Sequence, residues 1–262
     1  MEVVVAPDVD QFAANWLVEQ WDEINALGLA TGSTPENLYG WLIQRYYDGD
    51  IGFADKTTFN LDEYLSLAPN HPQSYRATIH RQLIQYVDLK PENFHVPPGL
   101  TNDVEAACEA YEDAIAAAGG IDMWILGIGH EGHIAFNEAP SEKETRTRLV
   151  DLSDSTLYHN ARFFDNDLYR VPKQAITVGV ATILEARKLL LLAKGDAKAQ
   201  PVAEAVLGSQ TEKLAASWLQ SHEACVVALD HAAASELLTR APAGESVIES
   251  ADGIRHTITF AA

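Results

Sequence analysis

Short apolar runs alternate with amphipathic stretches along most of this chain. MEVVVA (1–6) is a β-branched run, and DVDQFAANWLVEQW (8–21) places Val9, Phe12, Ala13, Trp16, Leu17 and Trp21 at helical spacing behind acidic residues suited to an N-cap. ALGLA (26–30) leads through TGSTP into ENLYGWLIQRY, where Thr34 is placed to cap a helix and Pro35 to sit in its first turn. TTFNLDEY (57–64) predicts a strand ending in two carboxylates. DVEAACEAYEDAIAAAGG (103–120) predicts a helix, and the fully apolar IDMWIL (121–126) a buried strand. AITVGVATIL, KLLLLAKG and EACVVALD predict further strands, with helical DAKAQPVAEAVL and TEKLAASWL between the last two. Apolar strands separated by helices imply an α/β fold. The expected form is a three-layer, doubly wound, mostly parallel sheet of Rossmann-like type with helices on both faces. One domain is expected over 1–262, with the segment around 141–170 as a candidate lid and an edge strand through IRHTITF in the tail 241–262.

Ligands of such sheets bind beyond the carboxyl ends of the strands, so the residues after each apolar run are the candidates. Thr31, Gly32, Ser33 and Thr34 lie between a strand and a helix N-terminus, where free N–H groups favour an anion. A tight turn with an N-cap accounts for them equally well, and the lysine of a nucleotide-binding P-loop is missing. Asp62, in FNLDEY, is a candidate proton acceptor, with Glu63 beside it as a competing choice. GIGHEGHIAFNE (127–138) has the glycine spacing of a dinucleotide-binding turn, but no helical run follows Gly132. HEGH is one residue short of the zinc-binding HExxH pattern, and its glycines disfavour the helix that would align the ligands. A loop histidine, His133, flanked by Glu131 and Glu138 suits proton transfer near neutral pH.

Composition narrows the partners. The 262 residues are 47% hydrophobic and carry a formal net charge of −20, which argues against nucleic acid and anionic membranes as partners. An anionic substrate would then need local cations. Arg146, Arg148, Arg162, Arg170, Lys194 and Lys198 are available, and spacing does not choose among them. Two distant cysteines, Cys108 and Cys225, suggest neither a disulfide framework nor a thiolate metal site. The opening residues carry neither the basic leader nor the apolar core of a signal peptide, and no run is long enough to span a bilayer. A cytoplasmic location is expected.

Together, LATGSTPENLY, TFNLDEYLSL with HPQSY behind it, GIGHEGHIAFNEAP, TRTRLVDLSDST, NARFFDND, VPKQAITVGVATIL and KGDAKA resemble the glucosamine-6-phosphate deaminase family, in order and approximate spacing. The resemblance implies conversion of glucosamine 6-phosphate to fructose 6-phosphate and ammonia, with no metal and no other cofactor. It implies that Asp62 moves a proton between C2 and C1, that His133 assists ring opening, and that Glu138 and Glu131 orient and tune that histidine. Many members have aspartate or asparagine in place of Glu131. For the phosphate it implies the turn Thr31–Thr34 together with Arg162 and Lys198. Some members are hexamers activated by the N-acetylated sugar phosphate, while others are small assemblies without an effector. A homo-oligomer is therefore compatible with the resemblance. Arg148 matches an arginine of the allosteric pocket, but Val150 stands where activated members commonly carry lysine, so absence of that activation is expected. The related 6-phosphogluconolactonases, hydrolases with a similar loop, are the rival reading, followed by a non-catalytic sugar-phosphate sensor.

Overall fold

The computed structural model describes residues 1–241 and 246–261. β1 (Glu2–Val5) turns into α1 (Val9–Val18), whose first turn is capped by the Asp8 carboxylate accepting from the Gln11 N–H. β2 (Ala26–Leu29) precedes α2 (Glu36–Asp48), and β3 (Thr57–Asn60) follows. Next come β4 (Asp62–Tyr64), α3 (Tyr75–Gln82), β5 (Phe94–His95), α4 (Val104–Ala117) and β6 (Met123–Gly127). β7 (Arg148–Asp151), α5 (Asp154–Asn160), β8 (Gln174–Thr177) and α6 (Val180–Leu184) lead to β9 (Lys188–Ala193), α7 (Ala199–Leu207) and β10 (Cys225–Leu229). α8 (His231–Arg240), β11 (Val247–Glu249) and β12 (Arg255–Phe260) complete the order.

Nine strands form one sheet in the order β5-β3-β2-β6-β9-β10-β1-β12-β11, parallel except for the terminal β12–β11 pair. β2 and β10 are buried at every position. Successive side chains of a strand point to opposite faces, so both faces of the sheet are covered, as the apolar runs predict. Trp124 of β6 lies over Gly28 of β2, where any side chain would collide with the indole, so two central strands share one large ring between them.

Five expectations are corrected. TTFNLDEY is not one strand: after Leu61 the chain leaves the main sheet, and β4 pairs antiparallel with β8. With β7 they make a second, three-stranded sheet, order β4-β8-β7, because Tyr64 turns into a separate core with Phe136, Leu152, Leu157, Phe164 and Val171. AITVGVATIL is likewise divided between β8 and α6. TEKLAASWL forms a 3-10 helix over Ala215–Ser221 rather than an α-helix. Thr34 does not cap α2, which begins at Glu36 after Pro35 with no side-chain cap bond. The tail strand is real but not the edge: β12 is paired on both sides, by β1 and β11. Residues 242–245 and 262 of that tail lie outside the described residues. The 141–170 segment supplies β7 and α5 to the second sheet and its core. Among the described residues no helix is long and apolar enough to cross a membrane.

Candidate active site

β3, β2, β6 and β9 are parallel neighbours in the sheet, so their carboxyl ends lie along one edge of it. Asp62 follows β3, the turn Thr31–Thr34 follows β2, the loop with His130 and His133 follows β6, and Lys198 follows β9. Residues far apart in sequence are thus brought together by parallel pairing alone.

The two adjacent carboxylates have separate tasks. Glu63 is 2% exposed, and its carboxylate accepts the N–H groups of Tyr64 (2.9 Å), Tyr75 (2.9 Å) and Arg76 (2.9 Å). It anchors the start of α3, where unpaired amide donors and the helix dipole favour an anion. Asp62 is 6% exposed and makes no side-chain hydrogen bond among the described residues. Burial, with the neighbouring Glu63 charge adding to it, pushes its carboxyl up to about 8. Asp62 is the carboxylate left for chemistry.

The loop after β6 is shaped around the His133 ring. A Cβ on Gly129 would overlap that imidazole, and Gly132 takes φ +77° with the Leu214 side chain against it, so glycine is required at both positions. The Nδ1 atom of His133 is buried without a hydrogen-bond partner. Burial lowers the pKa of the imidazole, and Glu138 only partly opposes this, so the ring is neutral at neutral pH. Neither glutamate holds it by a hydrogen bond among the described residues. The Glu138 carboxylate accepts the Ser153 N–H (2.7 Å) and the Thr156 hydroxyl at the start of α5, and Glu131 is exposed, its Oε1 lying 3.5 Å from Nε2 of His130 instead. The side chain of Asn137 fastens the loop from below: its amide donates to Ile134 O (3.0 Å) and Val178 O (2.8 Å), and its oxygen accepts from Arg148 (2.8 Å).

Among the six candidate cations, ion pairing removes three, and a bond to Asn137 engages Arg148. Lys194 binds Asp10 (2.6 Å), Arg146 binds Glu185, and Arg170 binds Asp165. Arg162 and Lys198 have no carboxylate partner among the described residues, and the Arg162 charge, after burial, lowers the pKa of the Lys198 ammonium. Two cations that repel one another are suited to sharing one anion. The Thr31–Thr34 turn follows β2, with Gly32 at φ +109°. No cluster of three or more metal-ligating side chains occurs among the described residues.

The chain is similar to known proteins over most of its length. The sequence profile of a family described as glucosamine-6-phosphate isomerases/6-phosphogluconolactonase matches residues 6–228. The glucosamine-6-phosphate deaminase 2 of Bacillus subtilis is 50% identical over 212 residues, covering 80% of this chain and 85% of the relative. The glucosamine-6-phosphate deaminase of Shewanella woodyi is 46% identical over 245 residues, 92% of each chain. The chain belongs to this family. A structure of a monomeric glucosamine-6-phosphate deaminase superposes with a TM-score of 0.87 at 37% identity, covering 90% of this chain and all of that one. The 6-phosphogluconolactonase of Trypanosoma cruzi shares the fold, with a TM-score of 0.72 at 21% identity over 90% of this chain.

Several residues that serve this family member's crevice are not apparent from spacing. Glu63 and Asn137 are structural anchors of the site, and Ser155 and Asn160 reach it only through folding. His159 also meets the loop through space, its ring 4.1 Å from that of His130. Only the Ser153 N-cap before α5, which accepts from the Thr156 N–H, leaves a readable local signature.

Proposed function

We propose that this chain isomerises and deaminates glucosamine 6-phosphate, giving fructose 6-phosphate and ammonia. The observation that carries the reading is Asp62: a buried carboxyl just beyond the carboxyl end of β3, without an ion-pair or hydrogen-bond partner among the described residues. Moving a proton between two carbons requires such a group, whereas hydrolysis of a lactone does not.

Arg162, Lys198 and the backbone of Thr31–Thr34 hold the phosphate, and its binding energy places the reacting carbons against the base. The neutral His133 imidazole accepts the proton of the anomeric hydroxyl and passes it to the ring oxygen as the C1–O5 bond breaks, leaving the open-chain aldehyde. Asp62 then takes the C2 proton, made acidic by the C1 carbonyl, and delivers it to C1. Burial keeps that proton from exchanging with water between the two events. Water adds at C2 of the resulting imine and ammonia leaves. Glu138 acts on His133 by its charge while its oxygens hold α5, and Glu131 adds a smaller charge effect on the same ring.

The test is release of ammonia and fructose 6-phosphate from glucosamine 6-phosphate, with galactosamine 6-phosphate and 6-phosphogluconolactone in parallel. Both products from the gluco sugar are expected. Turnover of the lactone alone would transfer the site to hydrolysis, and silence on all three would leave a sensor.

A further inference from the structure

α5 runs directly into the 3-10 turn Ala161–Phe163, so the position of α5 decides where the Arg162 guanidinium lies. Its apolar hold is slight, since only Thr156 and Leu157 of its residues are buried. Polar links must supply the rest. At its start Glu138 takes the Ser153 N–H and the Thr156 hydroxyl, and at its end Asn160 donates to the Tyr64 hydroxyl (2.8 Å). Between these ends is a third link that the reaction above does not use. Nε2 of His130 lies 2.7 Å from the Ser155 hydroxyl oxygen, and the His130 ring packs on that of His159 with centroids 4.1 Å apart. Nδ1 of His159 lies 2.8 Å from the Ser155 carbonyl one turn earlier. A carbonyl only accepts, so His159 carries its proton on Nδ1 and is fixed in that orientation. On its other side the edge of His130 meets the His133 ring, centroids 6.1 Å apart.

We propose that His130 is a positioning residue for the phosphate end of the substrate: through Ser155 and the face of His159 it clasps α5 to the loop that carries His133. The clasp holds Arg162 at a set distance from the ring-opening histidine, so that phosphate binding and chemistry share one frame. The proposal rests on the reading of Arg162 as a phosphate ligand. Without the clasp α5 is tied only at its two ends, and the segment between them, which includes the exposed Tyr158, is free to turn about those ties.

The experiment compares His130→Ala, Ser155→Ala, the double variant, His130→Gln and Arg162→Ala with the wild type. Steady-state kcat and KM for glucosamine 6-phosphate and the inhibition constant of inorganic phosphate are measured for each. His130→Ala and Ser155→Ala are each expected to raise KM and the phosphate constant about fivefold, the loss of one hydrogen bond, with kcat within about threefold. The double variant should be no worse than either single one, because both remove the same link. His130→Gln, which keeps a hydrogen-bonding group at similar reach, should recover most of the loss. A fall in kcat with KM and phosphate inhibition unchanged, or additive effects in the double variant, would overturn the clasp. Arg162→Ala separates the two ideas: if it weakens phosphate while His130→Ala does not, the clasp alone fails. If Arg162→Ala binds phosphate like the wild type, the phosphate reading fails and takes the clasp's purpose with it.

Discussion

Asp62→Asn should abolish turnover and at the same time stabilise the protein, increasingly so as pH rises. The carboxyl sits at 6% exposure beside the buried Glu63 and is raised from an ordinary 3.8 to about 8 in the folded chain. Below about pH 4 it is protonated whether the chain is folded or not. Above that, the unfolded chain ionises and the folded one does not. The wild type therefore loses about 1.4 kcal/mol of stability per pH unit until pH reaches the folded value near 8. By pH 7 the sum is of the order of 4 kcal/mol, and asparagine, which never ionises, escapes it. Denaturant unfolding at pH 5, 6, 7 and 8 should show Asp62→Asn gaining on the wild type across that series. Turnover in the same preparation should fall by about a hundredfold to ten-thousandfold, the usual effect of removing a general base. In the wild type kcat/KM should climb with pH toward the same value, since only the ionised form accepts the C2 proton. A stability difference that does not vary with pH would refute the burial argument, and near-normal turnover would remove Asp62 from the proton transfer.

Four further outcomes follow from the same geometry. Glu63→Ala leaves the amides of Tyr64, Tyr75 and Arg76 without their acceptor and should cost about 2–4 kcal/mol in denaturant unfolding, a loss within about 0.5 kcal/mol speaking against the anchor role. Gly129→Ala forces the His133 ring from its place and should lower kcat about tenfold or more while the far-ultraviolet spectrum is unchanged. Lys198→Ala removes a cation that has no carboxylate partner among the described residues and should raise KM for the sugar phosphate by about tenfold to a hundredfold, an unchanged KM excluding it from the phosphate site. Saturation curves should be hyperbolic and unaltered by N-acetylglucosamine 6-phosphate, because Val150 on β7 offers no charge beside Arg148, whose guanidinium is already bonded to Asn137 (2.8 Å). Activation by that compound would contradict this.

Much of this protein was legible in residue order. β-branched and leucine-rich runs such as IDMWIL and KLLLLA have no polar face, so they must be strands buried on both sides, and a sheet of such strands binds ligands at its carboxyl ends. That reasoning reaches Asp62, Thr31–Thr34 and the loop of His133 with Glu131 and Glu138, because each follows such a run. Family motifs in NARFFDND and KGDAKA chose Arg162 and Lys198 among the candidate cations. Where local pattern was ambiguous it failed in a physical way. FNLDEY and AITVGV have the composition of single strands, but the first passes at Leu61 from the main sheet to the second and the other runs from β8 into α6, and only the second core around Tyr64 makes the change of sheet favourable.

Tertiary structure alone divided the work between Asp62 and Glu63. Side by side in sequence they are chemically alike, and what separates them is the N-terminus of α3, which supplies amide donors to one and leaves the other buried and without partners. The same holds for the glutamates around His133: adjacency predicted that they hold the ring, whereas Glu138 holds α5 and Glu131 faces His130. Sequence by itself determined which residue types stand at the strand ends, since burial of apolar runs is a local, periodic constraint. Which oxygen meets which donor depends on groups brought together across a hundred residues of chain, and only packing decides that.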